Sequence, residues 1–139
     1  MQEGFAGSVE VVKRACERFV IYGAKISFKK AGFFSLGGKF TDDCFPVLDL
    51  SYGGLRFLFQ ERIKIDTRLT MRIYDPNDVV RVVMKGIVTW TSRNPGRSYA
   101  YQIGVQFNPY GEKRNHNHPD CLDDLVEFEN KFYNTFVST

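Results

Sequence analysis

Apolar and polar residues alternate along several short runs of the chain, which is the period of two that half-buried β-strands show. In the run 68–75, the pattern places Leu69, Met71 and Ile73 on one face. The same period predicts strands at 20–28, 55–59, 79–93 and 99–108. Turn-forming residues separate the runs, as in SLGG at 35–38, DPND at 75–78 and RNPGR at 93–97. Short strands joined by tight turns predict an antiparallel sheet.

The last part of the chain changes its period. Residues 120–136 carry apolar side chains at helical spacing, and Pro119 suits a first helical turn. Closure of the strands into a barrel would leave no exposed sheet edge. The predicted fold is therefore mainly all-β: a small antiparallel barrel of about six strands with a C-terminal α-helix.

The phase of the alternation also predicts where individual side chains point. Val20 and Tyr22 fall on the apolar side of the first run. Trp90 falls in phase with the core, so we expect it to pack inside and not to serve as a stacking surface. In VLDLSYGGLRF, at 47–57, inward Leu48 and Leu50 would leave the two polar side chains between and after them facing outward.

Composition and charge fit a single domain of 139 residues. The net charge of +3 is well short of what a dedicated DNA-binding protein carries, so no DNA binding is expected. Three scattered cysteines, Cys16, Cys44 and Cys121, indicate reduced thiols. No apolar run is long enough to insert into a membrane and the N-terminus does not read as a signal peptide, so we expect a cytoplasmic protein.

One polar stretch stands out within the predicted strands. Asp49 and Ser51 would lie on the same outward face, where a carboxylate acceptor and a hydroxyl can read the N–H donors of a guanine edge. Gly53 and Gly54 would then allow a turn with positive φ, or the close approach of a flat ligand. A purely structural explanation is also open, in which both polar side chains make local backbone hydrogen bonds at a strand end.

Two arginines near the N-terminus supply the complementary charge. Arg14 and Arg18 form an R-x-x-x-R pattern just before the first predicted strand. Guanidinium groups bind phosphate oxygens or the O6/N7 edge of guanine in a bidentate manner. A solvated basic face, paired with Glu10 and Glu17, is the alternative explanation for the pattern.

R-x-x-x-R followed by a strand, D-x-S-x-x-G, further strands and a terminal helix resembles the PilZ domain family of bacterial cyclic di-GMP receptors. The resemblance runs from about Arg14 to Phe136 and includes GIVTW at 86–90 and YQIGVQF at 101–107. One departure is the spacing of 31 positions from Arg18 to Asp49, which is long for the family. The excess falls in the predicted hairpin at 29–43, so the shape of the pocket there stays open.

The resemblance implies a ligand, cyclic di-GMP, and a set of residues that bind it. Arg14 and Arg18 would bind guanine edges and phosphates, Asp49 and Ser51 would hydrogen-bond a guanine, and Gly54 would leave room for it. Lys13 and Gly53 are additional candidates. No catalytic residue, cofactor or metal is implied.

We interpret residues 1–18 as an arm and 19–139 as the PilZ-like barrel with its helix, together one domain. The arm would be mobile when empty and would fold across the barrel on ligand binding, and a downstream protein of motility, pilus or exopolysaccharide machinery would read the change.

Two other functions stay open. The chain could be a PilZ-like protein-interaction module without nucleotide binding, or a small barrel that binds single-stranded nucleic acid through aromatic side chains and a basic groove. A metal site formed by His116, His118 and Cys121 fits no zinc spacing, so we expect none. Cys16 lies within the arginine pattern, where neighbouring arginines would lower a thiol pKa, but its role stays open.

Overall fold

The computed structural model describes residues 17–31, 38–96 and 98–134. Its six strands are β1 Lys25–Ala31, β2 Phe45–Ser51, β3 Gly54–Phe59, β4 Arg68–Tyr74, β5 Val80–Arg93 and β6 Tyr101–Phe107. All neighbours pair antiparallel in the order β1-β2-β3-β6-β5-β4, and β4 pairs back onto β1. The sheet therefore closes on itself, and the predicted barrel of about six strands is confirmed.

Among the described residues, the shortest strand pairing is that between β1 and β2. These strands pair at two positions, whereas β1 and β4 pair at seven. Beyond the short pairing, the chain before β1 continues along β2, because Phe19 exchanges both backbone hydrogen bonds with Leu50 at 2.8 and 2.9 Å. This bridge holds the residue before Phe19, Arg18, against the side of β2.

Aromatic rings fill much of the barrel interior. The Phe28 ring meets Phe59 at 5.1 Å and the Phe45 ring meets Phe59 at 4.8 Å, both edge to face, which is the favourable arrangement of aromatic pairs. The phase predicted for β4 is confirmed, since Leu69, Met71 and Ile73 are at most 1% exposed. Alternation with a period of two thus places the core as the sequence predicts.

The prediction that Val20 and Tyr22 face the core is wrong. They are 40% and 73% exposed, while Ile21 is buried. The physical reason is a turn before β1: Gly23 has a φ of 85° and its backbone lies against Pro76. A left-handed residue interrupts the strand geometry, so the alternating phase begins only at β1.

β-bulges reverse the phase elsewhere in the sheet. The register shifts between Val47 and Asp49 in β2, and between Val88 and Trp90 in β5. An extra residue in a strand changes which side chains face inward. Leu48 is consequently half-buried and lies outside the core, and Trp90 is 41% exposed, so both inward predictions are wrong.

The predicted C-terminal helix is confirmed in type. Helix α1 spans Pro119–Phe128 and continues as a π-helical segment, Glu129–Asn134. Leu125 and Phe128 are buried. Across the described ranges, no helix combines the length and the apolar character that crossing a membrane requires.

A buried aspartate organises the turn between β4 and β5. Asp75 is 0% exposed. Its Oδ1 accepts the backbone N–H groups of Asn77 at 2.7 Å and Val79 at 3.1 Å, and its Oδ2 accepts from Arg81 Nε at 2.7 Å. Burial is the largest single influence and opposes ionisation, but these hydrogen bonds and the nearby Arg81 charge together hold the pKa of Asp75 below its usual value.

Asp75→Asn is therefore expected to be less stable at pH 7 by about 1.5–3 kcal/mol, because it loses charge-assisted bonds in a buried turn. A depressed folded-state pKa stabilises the wild type above the unfolded-state value of about 3.9, and this contribution is lost as the pH falls through the folded-state pKa. Urea unfolding at pH 7 and pH 3 should thus show a smaller acid-induced loss for the variant. An equal loss in both proteins would contradict this role.

Candidate functional site

An open cleft of about 560 Å³ lies on the outer side of β3, β5 and β6, beside the β2–β3 turn. The side chains and backbone that matter to its chemistry are Arg18, Ser51, Gly53, Gly54, Arg56 and Trp90. The cleft thus brings together Arg18 and the residues predicted at the β2–β3 turn. It also contains Arg56 and Trp90, which no sequence motif had placed in the site.

Asp49, at the edge of this cleft, is held by two arginines. Arg18 Nη1 donates to Oδ1 at 2.7 Å, and Arg56 donates to Oδ2 from Nε at 2.9 Å and from Nη2 at 2.5 Å. The Asp49 side chain is 7% exposed, while those of Arg18 and Arg56 are 52% and 38% exposed. The hydrogen bonds that Arg56 donates to Asp49 raise the pKa of Arg56 above its usual value. A buried carboxylate is thereby neutralised while the cations remain accessible.

The two arginines hold Asp49 in different ways. Oδ2 accepts two hydrogen bonds from Arg56, from Nε and Nη2, and has no acceptor site left, since each carboxylate oxygen offers about two. Oδ1 receives one N–H group, from Arg18. Further hydrogen bonding by Asp49 must therefore occur at Oδ1, either beside Arg18 or in its place.

Arg18 owes its position to the residue that follows it. Phe19 is bridged to Leu50 and is 5% exposed. Its ring packs against Tyr52 at 6.2 Å and Tyr133 at 5.8 Å. The backbone at Arg18 is anchored beside Asp49 although the two residues are 31 positions apart in the sequence, so the long connection at 29–43 does not separate them.

The Ser51 side chain makes hydrogen bonds within the β2–β3 turn. It pairs with Gly54 across a two-residue hairpin loop. Its hydroxyl donates to the Gly54 carbonyl at 3.3 Å and accepts the Gly53 N–H at 3.2 Å. The explanation that the polar side chains only make local backbone hydrogen bonds at a strand end therefore holds for Ser51. It does not hold for Asp49, which bonds to arginine side chains.

Close packing against β6 leaves no space for a side chain at Gly54. Neither Gly53 nor Gly54 has a left-handed φ, so the prediction that they form a turn with positive φ is wrong. Among the described glycines, the left-handed one is Gly23. A Cβ at Gly54 would lie 2.2 Å from the backbone oxygen of Val105 in β6. Because this contact is with a paired strand, glycine is required here whether or not a ligand is present.

Trp90 forms a wall of the cleft. Its backbone partner across the β5–β6 ladder is Gly104, where a Cβ would lie 3.1 and 3.2 Å from two Trp90 carbons. The glycine gives the indole space to lie against the sheet. Strand periodicity could not reveal this position, since the bulge after Val88 is not visible in the alternation.

Several predicted features lie outside the described residues. Lys13, Arg14 and Cys16 are among them, as are most of the arm, 1–18, and part of the connection at 32–37. The assignment of Arg14 and Lys13 to the site therefore stays a prediction.

The histidines before α1 have other positions. The Nδ1 atom of His118 accepts the backbone N–H of Asp120 at 3.1 Å and caps α1. His116 packs against Gly111. In the part of the chain that the structure describes, no three His, Cys, Asp or Glu residues lie close enough to hold a metal ion.

Comparison with known families identifies one match that covers most of the chain. The family model for the PilZ domain matches residues 13–122. The match includes both arginines of R-x-x-x-R, all six strands and the start of α1. No curated protein and no solved structure matches the chain significantly.

Proposed function

This chain belongs to the PilZ domain family, whose members are receptors for cyclic di-GMP, and from that premise we propose that it binds cyclic di-GMP in the cleft beside the β2–β3 turn. The observation that supports this most strongly is the meeting of Arg18 and Arg56 on the buried Asp49 at the edge of that cleft. Arginine forks suit the phosphates and guanine O6/N7 edges of such a ligand. A carboxylate suits the guanine N–H donors.

The two arginines have separate roles in this proposal. Arg56 occupies both acceptor sites of Oδ2 and stays with Asp49, so the buried carboxylate keeps a counter-charge throughout. Among the described residues, the Arg18 side chain makes one hydrogen bond, and it is half exposed, so turning it toward the ligand costs less free energy than moving Arg56 would. The Oδ1 atom of Asp49 then accepts a hydrogen bond from an N–H group of guanine. Arg14, four positions before Arg18 in the sequence, binds the second guanine or a phosphate.

Trp90 provides a flat surface against which a guanine stacks. Because it is the only tryptophan in the chain, its fluorescence reports on the cleft directly. Adding cyclic di-GMP is expected to change the emission intensity of Trp90 in a saturable manner. GMP at equal guanine concentration should give a much weaker response, because it lacks the second guanine and the cyclic diphosphate. Emission that does not change with cyclic di-GMP would contradict the stacking.

Ligand binding draws the arm across the barrel in this proposal, and a downstream protein of motility, pilus or exopolysaccharide machinery reads that surface. Both the arginine pattern and the bridge at Phe19 lie where the arm joins the barrel. Amide hydrogen exchange of residues 10–20 should therefore slow when cyclic di-GMP is added. Exchange that stays the same with saturating ligand would rule out the arm movement while leaving binding intact.

The alternatives make different demands on the surface. A barrel that binds single-stranded nucleic acid needs exposed aromatic rings on adjacent strands. Among the described residues, the large exposed aromatic side chains are Tyr22 and Trp90, and Tyr22 precedes β1 whereas Trp90 is on β5. A protein-interaction module without nucleotide binding would have no need of arginines on a buried carboxylate. Neither alternative uses the geometry at Asp49.

A further inference from the structure

A second recess, of about 470 Å³, lies on β1, β4 and β5 and is walled by the loops that follow β6. It shares no lining residue with the cleft beside the β2–β3 turn. In the ring of six strands, β4 stands opposite β3, which forms part of that cleft. We call this second site the basic recess; the residues that carry its chemistry are Arg68, Thr70, Lys85, Ile87 and Asn108.

The strand register places two cations on one outward face of the basic recess. Arg68 pairs with Ile87 and Thr70 pairs with Lys85. Because the alternate residue Leu69 is in the core, these four side chains share the outer face, with Arg68 and Lys85 at diagonal positions. Diagonal neighbours in an antiparallel pair are about 7–8 Å apart, so their like charges repel.

Acidic residues do not relieve this repulsion. The recess lining contains no carboxylate, and within the described ranges neither Arg68 nor Lys85 forms an ion pair. The neighbouring cations on the same side of the barrel differ, since Arg72 and Lys29 lie over the Phe40 ring at 3.7 and 5.1 Å. Of these four cations, the two that line the recess, Arg68 and Lys85, have neither an acidic nor an aromatic partner among the described residues.

The recess is built rigidly around these charges. Asn117 is 3% exposed, and its side chain accepts from the Lys85 N–H at 2.8 Å and donates to the carbonyls of Lys85 at 2.9 Å and Asn108 at 3.0 Å. The N–H of Asn108 also donates to the Lys85 carbonyl at 2.9 Å. These bonds fix the loop wall to β5 at Lys85 itself. A fixed wall reduces the entropy that a ligand would have to remove on binding.

We propose that the basic recess binds a small organic phosphate. The Arg68 guanidinium takes two phosphate oxygens and the Lys85 ammonium and Thr70 hydroxyl take others, while Ile87 contacts the carbon skeleton. A concave site of this size fits a compact ester, whereas a nucleic-acid strand needs an extended groove. This site is independent of cyclic di-GMP binding in the cleft.

An NMR titration of the ¹⁵N-labelled full chain with glycerol 3-phosphate tests the proposal. Saturable shifts are expected at residues 68–70, 85–87 and 108, with a dissociation constant of about 1 mM or lower. Trp90 fluorescence should stay unchanged. The double variant Arg68→Gln/Lys85→Gln should retain the folded spectrum and bind at least about tenfold more weakly.

The matched control is Arg93→Gln/Lys131→Gln, which removes the same charge from exposed positions outside both sites. It should bind glycerol 3-phosphate like the wild type. Three results would overturn the proposal: no saturable shift at the recess, an equal loss in both double variants, or tighter binding of a single-stranded oligonucleotide than of the small phosphate at the same residues.

Discussion

Replacing Arg14 or Arg18 by alanine is expected to weaken cyclic di-GMP binding by about five- to 150-fold each, as measured by calorimetric titration. This range corresponds to the roughly 1–3 kcal/mol that a bidentate arginine–guanine contact contributes. For Arg18, the expectation rests on its contact with Asp49 at the edge of the cleft. For Arg14, it rests on the R-x-x-x-R pattern.

Folding of the Arg18 variant should be nearly unaffected. Its side chain is half exposed, and Arg56 still neutralises Asp49 when Arg18 is removed. Surface ion pairs contribute about 0–1 kcal/mol, so the unfolding midpoint should change little. Arg93→Ala, at an exposed position outside the cleft, is the matched control and should bind like the wild type. If both Arg14→Ala and Arg18→Ala also bind like the wild type, the assignment of the site is wrong.

Gly54→Ala is expected to destabilise the barrel by about 2–3 kcal/mol in the absence of any ligand. The new Cβ would lie 2.2 Å from the Val105 oxygen, and that oxygen belongs to the backbone of a paired strand and cannot move aside alone. The β3–β6 ladder must therefore shift. Thermal unfolding of the free protein measures the effect.

A second glycine provides the control for this variant. At Gly96, in the turn between β5 and β6, an added Cβ would approach only the end of the Asn94 side chain, at 3.0 Å. That side chain is held by hydrogen bonds to Tyr99 and Gln102, but it needs to move by only a few tenths of an ångström, so Gly96→Ala should alter stability much less. A Gly54→Ala protein as stable as the wild type, but deficient in ligand binding, would show that Gly54 is needed for ligand space and not for packing.

The barrel could be predicted from sequence because its core follows a local rule. Alternation with a period of two placed Leu69, Met71 and Ile73 correctly, and the change to helical spacing revealed α1. The errors lie where a single residue breaks the period. Gly23 turns the chain before β1, and the bulge before Trp90 moves the indole outward. Neither event leaves a mark in the hydrophobic pattern.

Motifs and their spacing pointed to part of the site. R-x-x-x-R and D-x-S-x-x-G pointed to Arg18 and Asp49, which the structure brings to 2.7 Å. Arg56 was missed, although a two-residue hairpin loop at 52–53 would have placed it opposite Asp49. Its contribution depends on strand register, which a list of motif residues does not contain. The binding of Asp49 by two arginines therefore depends on how β2 and β3 pair and could not be predicted from the motifs alone.

Calorimetric titration of the unmodified chain with cyclic di-GMP is the decisive test of whether the cleft beside the β2–β3 turn binds this ligand. Saturable heat is expected with cyclic di-GMP, and a much weaker response with GMP under the same conditions. Titration without heat at several temperatures, together with unaltered NMR signals for Arg18, Ser51 and Trp90, would contradict it.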